Sequence, residues 1–153
     1  MLLTIIDKAY VWDVNSKGKD IELLDSDTVA YKKEIEDFET VLGIIPLSSG
    51  KYYWEIIINN ISEPEDLFIG IAAKGFNLYS QPAPGNQFWG YIPCAGRKMG
   101  TNADRAKYGE MCVCNDIIGV QLELGGDKRK ITFYRNQVSP YVSISIEKHG
   151  CGF

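Results

Sequence analysis

Histidine is almost missing from this sequence: His149 is the single one in 153 residues. A hydrolase triad or a Cys–His pair needs an imidazole base held in position, and an imidazole four residues before Phe153 sits where a chain end frays. Methionine is scarce as well, three against fifteen glycines and nine tyrosines, a balance that leads away from helical bundles and toward strands and turns. There is no basic excess. Sixteen lysines and arginines face twenty acids for a net charge of −4, so no sequence-wide attraction draws the chain to nucleic acid or to an anionic membrane surface. Apolar stretches such as residues 67–73 fall far short of the ~18 residues of a membrane span. The first apolar run stops at Asp7 with no basic region before it, so export is not expected. Neither G-x-G-x-x-G nor G-x-x-x-x-G-K occurs, which leaves a phosphate-cradling loop without support. Four cysteines are too few for a disulfide scaffold and read as reduced thiols, with a cytoplasmic location the expectation.

What is present is a strand pattern. A chain of this length is expected to form a single domain, residues 1–153, able to bury roughly 68–70% of its unfolded surface. Over residues 117–124, Ile118, Val120, Leu122 and Leu124 share one face while Gly119, Gln121 and Glu123 share the other, a period of two. The same alternation runs through Trp54, Ile56 and Ile58 and through Val142, Ile144 and Ile146. Residues 67–73 are apolar on both faces, which predicts a strand near the centre of a sheet packed on both sides, with Gly70 allowing close backbone approach. Gly125-Gly126-Asp127-Lys128-Arg129 predicts a hairpin connection. Weaker strands are expected at residues 10–12, 21–24, 29–31, 41–45 and 88–91, and a short charged helix is possible only over residues 32–39. The sum is an all-β domain with the strand spacing of a sandwich.

Two connections exceed what a compact domain requires, residues 74–87 and 93–116, and loops of that length are functional or disordered. Phe76, Tyr79 and Tyr108 within them argue against disorder. Cys112 and Cys114, expected on one side of a strand, make four soft ligands with His149 and Cys151, but C-x-C with H-x-C matches no strong zinc signature, so no metal and no cofactor are called. The acids at Glu63, Glu65 and Asp66 and at Glu34, Glu36 and Asp37 read as solvated loop charge, and Lys128-Arg129-Lys130 as a solvated turn. Charge is asymmetric: residues 1–66 carry fourteen acids and six bases, residues 67–153 six acids and ten bases.

In order along the chain stand Val41-Leu42-Gly43, then Pro46-Leu47-Ser48-Ser49-Gly50-Lys51-Tyr52-Tyr53-Trp54-Glu55-Ile56, Ile69-Gly70-Ile71-Ala72, Phe88-Trp89-Gly90-Tyr91, Tyr108-Gly109, Asp116-Ile117-Ile118-Gly119-Val120 and Ile131-Thr132-Phe133-Tyr134-Arg135-Asn136. This ordered set, from about Trp12 onward, resembles a SPRY domain. The resemblance implies a bent sandwich of two antiparallel sheets, of the concanavalin-like jelly-roll kind, that recognises proteins through loops at one end: a binding module, not an enzyme. One departure is plain. The family follows F-Y-x-N with glycine and a longer connection bearing an aromatic, whereas here Asn136 leads through Gln137-Val138-Ser139 directly to Pro140-Tyr141.

In SPRY adaptors of ubiquitin ligases a tyrosine in the loop before the W-G-aromatic strand packs on bound peptide, and Tyr79 lies at the matching place, with Gln81 beside it. The alternative for Tyr79 is a ring folded back on its loop. Trp89 and Tyr91 share a face and suit core packing or partner contact. Arg97, with Lys98, would pair with an acidic ligand; Lys33 and Glu65 border the same surface by family analogy, and His149 its rim. The expected partner is a short peptide or a protein loop, met by a monomeric domain that stands alone or within a larger protein. No RING, F-box or SOCS-box segment occurs in the sequence, so substrate recognition for a ubiquitin ligase, or scaffold assembly, is implied by family alone. Two readings from other classes stay open. A lectin-like sandwich would stack sugar on Tyr79 or Trp89 and order Asn102 and Asp104 around calcium, and an enzyme would use Cys112 or Cys151 with His149.

Overall fold

The structure is a computed structural model that describes residues 1–6, 9–33, 37–61, 66–83, 87–100, 103–126, 128–138 and 144–145. Thirteen strands are defined: β1 (Leu2–Ile5), β2 (Trp12–Lys17), β3 (Ile21–Leu24), β4 (Val29–Lys32), β5 (Val41–Gly43), β6 (Gly50–Asn60), β7 (Ile69–Ala72), β8 (Phe88–Ile92), β9 (Arg97–Gly100), β10 (Ala103–Lys107), β11 (Ile117–Gly125), β12 (Lys128–Arg135) and β13 (Ile144–Ser145). They form a seven-stranded sheet ordered β13-β12-β11-β6-β1-β4-β3, a four-stranded sheet β10-β9-β8-β7 and a ribbon β2-β5, with every pairing antiparallel. No helix among the described residues is long and apolar enough to cross a membrane.

The period-two faces become the core. Ile118, Val120, Leu122 and Leu124 of β11 are all buried, as are Ile56 and Ile58 of β6 and Ile131 and Phe133 of β12. Across the gap, Tyr91 of β8 meets Phe133 at 5.4 Å and Tyr108 at 5.3 Å between ring centroids, which ties the four-stranded sheet to the seven-stranded one. Rings packed edge-on or tilted at such distances contribute beyond their buried area. The hairpin forms as the sequence suggests: Gly125 pairs with Lys128, and Gly126 takes a left-handed φ of 57° that glycine adopts without strain.

Several expectations are corrected. Residues 67–73 hold an edge strand rather than a central one, because β7 pairs only with β8 among the described residues. Its two apolar faces are nonetheless both used: Ile69 and Leu67 turn to the main core, while Phe68 and Ala72 pack on a second cluster of Phe76, Phe88, Ile92 and Met99 on the outer side of the small sheet. The stretch 93–116 is not one long loop but a 3₁₀ turn (Pro93–Ala95), β9 and β10. Residues 10–12 give only the start of β2, and 41–45 shorten to β5. No helix forms in the described part of residues 32–39, and residues 34–36 lie outside the described set. Leu2–Ile5 forms an unexpected inner strand, β1, held between β4 and β6 with Leu3 and Ile5 buried. Of the strand expected over residues 141–147, only β13 is described.

The turn after Arg135 resolves the departure from the family pattern up to Val138. Asn136 and Gln137 have φ of 50° and 60°, the pair of positive values a two-residue type I′ turn demands, and the Val138 amide donates to the Arg135 carbonyl at 3.0 Å. Residues 139–143 lie outside those described.

Candidate functional site

The segment between β7 and β8 is anchored before it presents anything. Phe76 is buried, with its ring 6.2 Å from that of Phe88. Asn77 then organises a tight turn: its side-chain Oδ1 accepts from the Tyr79 amide at 3.0 Å, and its carbonyl accepts from the Ser80 amide at 3.2 Å and the Ser80 hydroxyl at 2.9 Å. An asparagine bonding to the backbone two residues on is the turn chemistry this residue supplies. The Leu78 carbonyl accepts from the Thr40 amide at 2.8 Å, which docks the turn on the segment before β5. Between these holds Tyr79 is 55% exposed. The ring is therefore displayed rather than folded back.

A chain of backbone bonds joins this turn to the end of β4. Gly18 donates to the Thr40 carbonyl at 2.9 Å and Ile21 to the Gly18 carbonyl at 3.3 Å, and Ile21 pairs with Lys32, the neighbour of Lys33. Lys33 is exposed, with its ammonium on Glu22 Oε1, so an incoming acid must compete with that carboxylate. Gln81 is half-buried on the same segment as Tyr79. Arg97 is not brought to this end. It pairs with Ile92 at the far end of β8, about 13 Å of strand away from the Phe88 end where the Tyr79 segment joins. Glu65 and His149 lie outside the described residues.

Trp89 and Tyr91 are corrections. Trp89 is 5% exposed and Tyr91 fully buried, and the Tyr91 hydroxyl donates to the Glu110 carbonyl at 2.7 Å. In β8 the odd-numbered residues face the larger sheet and the even-numbered ones the outer cluster, so the shared face that sequence spacing identified is the interior. Cys112 and Cys114 do not share a strand face: both lie in the loop before β11, Cys112 buried and Cys114 exposed. Burial pushes the Cys94 thiol up to about 12 and raises Cys112 also, the opposite of what a nucleophilic thiol needs. Cys151, Asn102 and the side chain of Asp104 lie outside the described residues, and no group of three or more metal-ligating side chains occurs among those described.

Beside the Tyr79 turn lies a feature sequence reasoning missed. A cavity of about 780 Å³ reaches from the rim residues Ser80, Pro82, Ile44 and Ile45 inward between the sheets. Ile44 and Ile45 are 52% and 43% exposed. Sequence alone puts residues 44 and 45 in a strand over 41–45, whereas β5 ends at Gly43 and leaves both at this rim.

The motif that orders the other end of the fold is polar. Asp116, buried ahead of β11, accepts from the Val113 amide, the Asn136 side-chain amide and Arg135 Nε, each at 2.8 Å. Asn136 Oδ1 accepts in turn from the Ile117 amide at 2.8 Å. Burial works to raise the Asp116 pKa, but these bonds and the Arg135 charge outweigh it and hold the carboxyl below its ordinary 3.8. The Asp-Ile-Ile-Gly-Val and Phe-Tyr-Arg-Asn strings thus meet in space as a structural lock.

No match to the chain was found among curated proteins. A family model, the SPRY domain, matches residues 51–151, from β6 through the last described strand. With about two-thirds of the sequence matched and the expected pair of antiparallel sheets in place, this chain belongs to the SPRY domain family.

Proposed function

We propose that the chain, acting as one unit over residues 1–153, binds a short extended peptide or a protein loop at the end of the sandwich formed by the Asn77–Ser80 turn and the segments packed on it. SPRY domains are protein-interaction modules and are generally not catalytic. The observation that carries the finer reading is Tyr79, an exposed ring on a turn held by four hydrogen bonds through Asn77 and Leu78. An aromatic fixed before the partner arrives loses little entropy on binding, which is what makes tyrosine an effective anchor. Gln81 and Lys33 flank it in this reading, and Arg97 belongs to another surface. An adaptor role in the cytoplasm, in substrate recognition for a ubiquitin ligase or in scaffold assembly, follows from family as part of the same proposal.

The test is affinity capture of partners from cell extract with wild type and Tyr79→Ala, followed by titration of the captured partner. Binding is expected to fall by about 1–3 kcal/mol while the melting temperature holds. A melting temperature that drops with unchanged binding would assign the ring to packing and end this reading.

A further inference from the structure

The sandwich is filled unevenly. Where β8 faces β12 the rings of Tyr91, Tyr108 and Phe133 lie 5.3 to 6.2 Å apart and occupy the space between sheets. Where β7 faces β1 and β4 the wall carries small or branched side chains, among them Ala30, Ala73, Ile5 and Ile21, and the cavity of about 780 Å³ remains. The cavity opens at the Ile44, Ile45, Ser80 and Pro82 rim, and its volume falls within the roughly 300–1,000 Å³ of ordinary ligand sites.

Two residues that line this cavity each carry a buried polar atom without a hydrogen-bond partner. Trp12 lines the cavity and is 8% exposed, and its indole Nε1 is buried with no hydrogen-bond partner. Glu39 lines it too. Its Oε2 accepts from the Asp20 amide at 3.0 Å, while its Oε1 is buried with no partner. The carboxyl is held in place by the close approach of Gly18, where an added β-carbon would stand 2.5 Å from the Glu39 carboxyl carbon. Buried donors and acceptors are almost always matched, so an unmatched donor and an unmatched acceptor on residues lining one cavity are the two polar groups open to a filler.

We propose that this cavity is a binding site for an uncharged, lipid-like amphiphile: an apolar body filling the space between the sheets, with a group that accepts from the Trp12 indole and a hydroxyl or amide hydrogen that donates to Glu39. A fatty carboxylate satisfies the indole but sets a second anion against Glu39 and has no hydrogen to give it. Long-chain alcohols and amides meet both demands. Tyr79 does not line this cavity, so failure of one proposal leaves the other standing.

The experiment uses the full chain and the neutral fluorophore N-phenyl-1-naphthylamine. Saturable, one-to-one enhancement is expected, reversed by 1-dodecanol or dodecanamide at about tenfold lower concentration than by dodecanoate, the equivalent of one hydrogen bond to a charged group. Ala30→Leu, which pushes a larger side chain into the cavity wall, is expected to weaken fluorophore binding about tenfold. If circular dichroism shows that variant unfolded, Glu39→Gln decides instead: its neutral amide removes the repulsion, and the gap between dodecanol and dodecanoate is expected to close. No saturable binding to folded wild type, or displacement that ignores the head group in wild type and Glu39→Gln alike, overturns the proposal.

Discussion

A β-carbon built on Gly119 would lie 2.5 Å from the Tyr53 hydroxyl oxygen. On the outer face of the seven-stranded sheet the Tyr53 ring reaches over β11 at its only glycine before the hairpin, with its hydroxyl donating to Glu55 at 2.7 Å and its ring 6.2 Å from that of Tyr134. Glu55 and Tyr134 are the two residues paired with Gly119 across the ladder, so the missing side chain makes room for an aromatic cover shared by three strands.

Gly119→Ala is therefore expected to destabilise the fold by about 1–3 kcal/mol in urea titration, the range for overpacking. The loss should shrink in a Tyr53→Ala background, since the blocking atom ends a side chain that can move. Gly70→Ala is a different case. Its β-carbon would sit 2.2 Å from the Trp89 carbonyl oxygen and 2.6 Å from the Gly90 Cα, backbone that cannot yield. A loss above about 4 kcal/mol, or failure to fold, is expected there. Equal costs at the two glycines would show that the Tyr53 cover is not what Gly119 accommodates.

Asp116 makes stability depend on acid. Its folded pKa lies below the ordinary 3.8, so the unfolded chain takes up the proton first as pH falls. The stabilisation is fully present above about pH 4, begins to fade near 3.8, and is gone once pH passes the lower folded value. Asp116→Asn keeps the shape but loses the charge facing Arg135. It is expected to lower stability near neutral pH by about 2 kcal/mol, as losing hydrogen bonds to a partly buried charged group does. The difference from wild type should narrow on acidification below 3.8. A difference constant down to pH 2 would place the acid response in other groups.

The parts of this fold legible in sequence are those where one physical demand acts alone. Alternation over residues 117–124 placed Ile118 to Leu124 in the core because only a half-buried strand requires a period of two. Gly125-Gly126 marked its hairpin because few residues tolerate positive φ. Trp89 and Tyr91 were harder: a shared face says nothing about which face, and only the presence of β12 opposite makes it interior. Leu2–Ile5 escaped because its apolar run shows no alternation that marks a strand face, and its strand identity comes from β4 and β6 on either side. Tyr79 was located by family likeness, but its exposure depends on Phe76, Asn77 and Thr40, contacts that no local pattern encodes. The cavity was invisible because it is set by which small residues happen to face one another across sheets.

Thiol reactivity is expected to separate the cysteines. Cys114 is exposed in the loop before β11, whereas Cys94 and Cys112 are buried and their thiols raised by that burial, Cys94 to about 12. Since the thiolate is the reacting form, iodoacetamide near neutral pH should label Cys114 in the native protein and reach Cys94 and Cys112 only when denaturant opens the core. Peptide mass spectrometry reads each site separately. Native labelling of Cys94 as fast as that of Cys114 would mean that the region around Pro93–Ala95 opens far more readily than its packing implies.

Phe76 and Tyr79 sit three residues apart and should fail in different ways. Phe76 is 8% exposed against Phe88, so Phe76→Ala removes packed area and is expected to cost about 3 kcal/mol, the lower end for burying no ring where one belongs. It also releases the turn, because Leu78 can hold the Thr40 amide only while the segment stays seated. Hydrogen exchange at Thr40 should then accelerate, and partner affinity should fall even though Tyr79 is intact, since its ring must be ordered again on binding. Tyr79→Ala should leave Thr40 protected. If Phe76→Ala exchanges Thr40 no faster than wild type, the turn is held by Asn77 and its own hydrogen bonds, and the anchor assigned to Phe76 is wrong.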